Sequence, residues 1–195
     1  MTHPGDKTIV IASKHVVMNG PVGNLTVLVG EQVACFKLAG RANFNGSAEF
    51  KSLLQSLQAR GVERFILDLR ECVLMDSTFV GVLAKFSLGL AAGAATGAAA
   101  HIELLGAGER VDDMLDNLGV KALFGRLASA QEIPTGLTPL DLTSSPAPSR
   151  RELTETSLEA HRALMNLSEE NRRKFGEVEK CLVEDLKKTP PDPKT

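Results

Sequence analysis

The chain has 195 residues, of which 43% are apolar and 24% charged, the balance of a soluble globular protein with room for one ordinary domain and an appendage. Its 22 basic and 24 acidic residues leave a net charge of −2, too little to draw in nucleic acid or an anionic membrane, and its one dense basic run, Arg172-Arg173-Lys174, lies among glutamates as a solvated helix face. Eight Phe without Trp or Tyr leave few stacking platforms for single-stranded nucleic acid.

The three cysteines, Cys35, Cys72 and Cys181, are too far apart for a CxxC metal site and odd in number for a disulfide framework. Free thiols in a reducing compartment are expected. The N-terminus lacks a basic segment followed by a long apolar one, so the expected location is the cytoplasm.

In chain order, Leu25 to Val29 reads as a strand that turns at Gly30-Glu31 into a second, Gln32 to Leu38. Gly40-Arg41-Ala42-Asn43 breaks that pattern, and Ser47 opens a helix whose Phe50, Leu53, Leu54 and Leu57 share one face up to Gly61. Phe65 to Leu69 is a short apolar run with the look of a strand buried on both faces, followed by a loop to Met75-Asp76-Ser77. From Phe79 onward a buried helix runs toward Gly93 or Gly97. Phe79 to Ala100 has Lys85 as its only charge, but its Ala and Gly content gains little from lipid, so a soluble helix is expected rather than a membrane span. Ile102 to Leu105 is another strand, Val111 to Leu118 a helix stopped by Gly119, and Val120 to Phe124 a last short strand.

Beyond Gly125 the character changes. Pro134, Pro139, Pro146 and Pro148 among Ser and Thr mark a linker. Two amphipathic runs follow, with Ser168 between them at an N-cap position. The expected organisation is an N-terminal extension over 1–24, an α/β domain over 25–127, a Pro/Ser/Thr-rich linker over 128–149, a helical extension over 150–188 and a disordered tail over 189–195. The apolar stripes of the extension need cover, from the core, from a partner or from a second copy of the chain in a homodimer through these helices.

No catalytic motif is present: GxSxG, HExxH, a phosphate-binding loop and a GxGxxG after a strand are all missing. His3 and His161 are placed in a terminal tail and an appended helix, and His101 at the N-terminal end of a strand. A serine nucleophile would therefore lack a base. Asp68 and Asp76 lack the third acid or lysine of a phosphoryl-transfer metal site, so neither metal nor cofactor is expected. Asp76-Ser77-Thr78, by contrast, stands between a buried strand and a helix. Ser77 is placed to accept from the free N–H groups of the first turn, and as a cap its change to alanine costs about 1 kcal/mol. Phosphate added there would face the positive end of the helix beside the Asp76 carboxylate.

Leu67 to Leu83, LDLRECVLMDSTFVGVL, resembles the signature of the STAS domain of bacterial anti-sigma factor antagonists, in which a buried strand leads into a D-S-[ST]-G motif. Glu109 to Phe124, ERVDDMLDNLGVKALF, is similar to that family's third helix, and Leu38 to Asn43 to its L-x-G-x-[LI]-D turn. The resemblance spans Leu25 to Phe124. It implies a STAS-like α/β fold: a mixed, largely parallel sheet of four to five strands with three or more helices, here with a C-terminal helical extension. It further implies a non-enzymatic module that sequesters a kinase-type anti-sigma factor while Ser77 is unphosphorylated. Ser77 would be the phosphoacceptor, with Thr78 as the second candidate, and Asn43, Asp76, Ser77, Thr78 and Phe79 the partner-binding residues. The partners would be an anti-sigma factor serine kinase, which brings the ATP, and a phosphatase. The alternative within the family is a STAS scaffold or small-ligand-binding domain not switched at Ser77. Phe79 stands where the motif has Gly, and Asn43 where the turn has Asp.

Overall fold

The computed structural model describes residues 16–17, 23–93, 100–142 and 147–190. Strand β1 (Val16–Val17) precedes β2 (Asn24–Val29) and β3 (Val33–Ala42), which form the expected hairpin. Helix α1 (Phe44–Ala59), β4 (Arg64–Met75), α2 (Ser77–Gly93), β5 (His101–Leu105), α3 (Glu109–Asn117) and β6 (Gly125–Leu127) follow in strict alternation. After β6 come β7 (Thr138–Pro139) and the helical pair α4 (Arg150–Met165) and α5 (Glu169–Lys188).

Among the described residues the sheet has seven strands, in the order β1-β2-β3-β4-β5-β6, with β7 also on β2. It is mixed, as expected, with more strands than the four to five expected. The helical crossovers α1, α2 and α3 make β3-β4, β4-β5 and β5-β6 parallel. The N-terminal hairpin, β1 and β7 add antiparallel pairs on the other side. The two extra strands are two residues each, too short for any periodicity to announce them.

Alternation along the central strands sorts side chains to the two faces. Phe36, Phe65, Leu67 and Ile102 point into the large core beneath the helices, while Cys35, Ile66, Leu105 and Leu127 form a smaller cluster on the other face, met by Ile133 and Leu137. Burial pushes the Cys35 thiol up to about 11, so it behaves as a small hydrophobe. All three thiols are unpaired.

Several boundaries differ from the sequence expectation. β3 does not stop before Gly40. It continues through a register irregularity, with Gly40 at φ +80, and pairs Arg41 and Ala42 with Leu74 and Met75. β4 correspondingly extends to Met75, where a loop was expected. α1 starts at Phe44, not Ser47, because the Asn43 side chain accepts from the Asn45 N–H. Lys121–Leu123 is a 3-10 turn, and the last core strand lies just after it at Gly125–Leu127.

The 128–149 segment carries β7, and the Leu140 N–H donates to the Val27 carbonyl at 2.9 Å. Pro146 lies outside the described residues, as do 94–99 of the Ala/Gly stretch, most of 1–24 and residues 191–195. No helix among the described residues is long and apolar enough to cross a membrane.

The C-terminal helices pack on the core. Ala160, Leu164 and Phe175 belong to the same apolar cluster as the sheet and α1–α3. Ser168 caps α5 by accepting from Asn171 N–H. The buried Asn171 amide donates to the Leu118 and Leu164 carbonyls, both at 3.0 Å, tying α5 to the ends of α3 and α4. Against α2, α4 approaches to backbone contact: a Cβ built on Gly81 would lie 2.6 Å from the Ala160 carbonyl oxygen.

Candidate functional site

Because β3 and β4 run parallel and side by side, both chains leave the sheet at the same edge, and the N-termini of α1 and α2 begin next to each other. Asp76 joins them. One carboxylate oxygen accepts from Phe79 N–H at 2.9 Å, which makes Asp76 the N-cap of α2, and the other accepts from Phe44 N–H at 2.7 Å, at the first residue of α1. Its own N–H donates to the Ala42 carbonyl at 3.0 Å. The cap expected at Ser77 is therefore one residue earlier. A carboxylate with two oxygens serves two helices at once, and that displaces the hydroxyl from the role.

Freed from capping, Ser77 is the first residue of α2, half-buried, with its Oγ 3.1 Å from Nε2 of His161 on α4. The Nδ1 of His161 lies 2.8 Å from the Ser157 carbonyl oxygen. A carbonyl only accepts, so Nδ1 carries the hydrogen and Nε2 of the neutral ring presents a lone pair to the Ser77 hydroxyl. His161 is buried and packs on Phe175 at 4.9 Å between centroids. That burial holds its pKa below the ordinary 6.5, prevailing over the opposing effects of the Ser157 carbonyl and the Asp76 charge. Beside this pair, Thr78 Oγ1 lies 3.2 Å from Ser157 Oγ.

The expectation that no base reaches Ser77 is thus corrected. His161 looks remote because 84 residues separate it from Ser77, yet α4 lies directly across α2. The i, i+4 spacing of Ser157 and His161 was the one legible signal, since it puts both on one helix face. Chemically, the pair is a hydroxyl donating to a neutral imidazole, an arrangement that takes up the hydroxyl proton when the oxygen attacks an electrophile.

The remaining candidates separate. Asn43 is half-buried at the start of α1, next to Asp76 through Phe44. Thr78 is buried under α4. Phe79, expected at the partner surface, is fully buried in this chain and stacks on Phe50 at 4.5 Å, filling the space between α1 and α2. Asp68 is not free for a metal either, because Arg70 grips both carboxylate oxygens at 2.8 and 2.7 Å. No group of three or more His, Cys, Asp or Glu among the described residues could hold a metal ion. His101 begins β5, as expected, far from Ser77 in the fold.

The class defined so far is an α/β protein with a mixed sheet, two adjacent helix N-termini joined by Asp76, and a C-terminal helical hairpin laid across them. No protein-family model and no curated protein matches the chain. Among solved structures it is similar to the anti-sigma factor antagonist SpoIIAA in its unphosphorylated form, at 16% identity and TM-score 0.48, over 55% of this chain and 90% of that one. It is also similar to the phosphorylated form of SpoIIAA from Bacillus (15%, TM-score 0.45, 55% and 94%) and to an anti-sigma factor antagonist from Mycobacterium paratuberculosis (12%, TM-score 0.46, 57% and 92%). These likenesses are of fold alone.

Proposed function

We propose that this protein is a phosphorylation-regulated protein-binding module of the anti-sigma factor antagonist type, with Ser77 as the acceptor and its own C-terminal hairpin as a cover over the Ser77 face. A kinase-type anti-sigma factor would bind the face formed by the starts of α1 and α2 while Ser77 is unphosphorylated, and a phosphatase would restore that state. The D-S-T motif supports the choice of residue. The observation that carries the reading is the Ser77–His161 hydrogen bond. Ser77 is not spent on capping its helix, so its hydroxyl can be modified without removing a cap, and the contact that changes is the one to α4.

Phosphorylation would remove the hydroxyl proton now shared with Nε2 and place up to two negative charges beside a neutral imidazole and the Asp76 carboxylate. The bond as it stands is lost, and the docking of α4 is reset with it. A partner reaching the Ser77 face has to displace α4 as well, so partner binding and hairpin docking compete. The test compares wild type, Ser77→Asp and His161→Ala for binding to the anti-sigma-factor-type ATPases of the source organism. The expected result is weaker binding for Ser77→Asp, because the negative charge it adds to the contact face outweighs the freeing of that face by α4, and tighter binding for His161→Ala, which frees the face without adding charge, with folds unchanged by circular dichroism. Equal binding of wild type and Ser77→Asp to every such ATPase would overturn the reading.

A further inference from the structure

The contact between α4 and α2 runs through small and charged side chains. Ser77 Oγ faces His161, Thr78 Oγ1 lies 3.2 Å from Ser157 Oγ, Gly81 lies against the Ala160 backbone, and Lys85 Nζ reaches Glu159 at 2.7 Å. Thr78, Gly81 and Lys85 stand three and four residues apart, so they form one stripe of the helix. The large side chains of α2, Phe79 and Leu83, are fully buried in the core cluster. α1 adds Lys51, whose Nζ lies 2.6 Å from the same Glu159 oxygen that Lys85 bonds.

Such a stripe fits one kind of occupant. At Gly81 the two helices meet so closely that an added Cβ would lie 2.6 Å from the Ala160 carbonyl oxygen and 2.8 Å from its Cβ. Ala160 has no exposed surface, so a larger residue at that point would have to push the helices apart. One position earlier, the carboxylate of Glu159 holds the two ammonium groups of Lys51 and Lys85 together. With a neutral or basic residue in its place, like charges would face each other across the groove.

From this charge and shape complementarity we infer that the partner docks a helix of its own in place of α4, with alanine or glycine against Gly81 and an acidic residue one position earlier between Lys51 and Lys85. α4 is then the internal occupant of a helix-binding groove, held there in cis at a high effective concentration. A second copy of the chain brings nothing that α4 does not already supply in cis, so the occupant is a different protein. The inference rests on the Ser77 face being a partner surface, and it names what the partner brings to that face.

The probe is a fluorescein-labelled peptide of residues 149–166, which keeps the α4 capping box of Ser149 and Glu152. Its anisotropy is followed on the full chain as wild type and with two substitutions that free the groove without touching α1 or α2, His161→Ala and Ala160→Leu. Saturable binding is expected to both opened chains, roughly tenfold or more tighter than to wild type, where α4 competes in cis. His161→Ala, the milder change, carries the test if Ala160→Leu loses its fold by circular dichroism. A peptide with Glu159→Lys should bind roughly tenfold or more weakly and recover on an opened chain that also carries Lys85→Glu, and a peptide with Ala160→Leu should not bind. No saturable binding to either opened chain, binding that ignores both peptide substitutions, or opened chains that pair by light scattering and exclude the peptide would each overturn the assignment. Failure of the Ser77 switch is a separate result: peptide binding with these dependences in a protein never phosphorylated at Ser77 removes the switch and keeps the groove. No peptide binding, with Ser77→Asp still weakening an ATPase partner, removes the groove and keeps the switch.

Discussion

Replacing Asp76 by alanine separates the two roles that the D-S-T motif combines. Asp76 accepts from Phe79 N–H at 2.9 Å and from Phe44 N–H at 2.7 Å, so alanine leaves a terminal N–H of two helices without its carboxylate. Loss of an N-cap costs about 1 kcal/mol and up to about 2, and the second bond adds about 1 kcal/mol. The sum is about 2–3 kcal/mol, or roughly 4–12 °C in Tm for a chain of this length. Ser77→Ala removes one hydroxyl–imidazole bond, about 1 kcal/mol. Asp76→Asn should fall between, because its amide keeps one accepting oxygen but turns an NH2 toward the other N–H. Urea unfolding followed by circular dichroism gives all three values. If Ser77→Ala cost as much as Asp76→Ala, the assignment of the cap to Asp76 would be wrong.

Three further outcomes follow from the packing of α2 against α4 and α1. Since burial lowers the His161 pKa below 6.5, the unfolded chain binds a proton that the folded chain refuses. Stability should fall as pH drops below about 6.5, down to the folded pKa, and be unaffected by His161 above that window; in His161→Gln this component of the pH profile, measured by thermal melts between roughly pH 5 and 8, should vanish. Gly81→Ala, whose Cβ would overlap the Ala160 backbone at 2.6–2.8 Å, should loosen α4 and speed amide exchange in α4 and α5, although alanine is the better helix former by about 1 kcal/mol. Phe79→Ala removes a fully buried ring stacked on Phe50 and should cost about 3–5 kcal/mol in denaturant unfolding, whereas a surface role for Phe79 would leave stability unchanged.

Much of the fold was legible because each core element carries its own periodicity. The β2–β3 hairpin, α3 ahead of Gly119 and the α4–α5 pair with Ser168 between them follow from local spacing and turn residues. What stayed hidden depends on contacts across the chain. β3 and β4 extend each other through Gly40 and Met75, past the point where either looks like a strand by itself. β7 exists only because β2 offers it an edge. At the site, the motif marked Asp76 and Ser77 but not which of them caps, since that turns on a second N–H arriving from Phe44. His161 could not be assigned to Ser77 from sequence, because no local pattern states where an amphipathic helix will dock. Phe79, which breaks the motif, is explained by the aromatic space left between α1 and α2.

Ser77 as the switch is tested by intact-mass and phosphosite analysis of the protein isolated from the cells that make it, across growth and stress conditions. A fraction carrying one phosphate at Ser77 is predicted, with faster amide exchange in α4 than in the unmodified fraction. Ser77 unmodified under every condition, or phosphate found only at another residue, would contradict it.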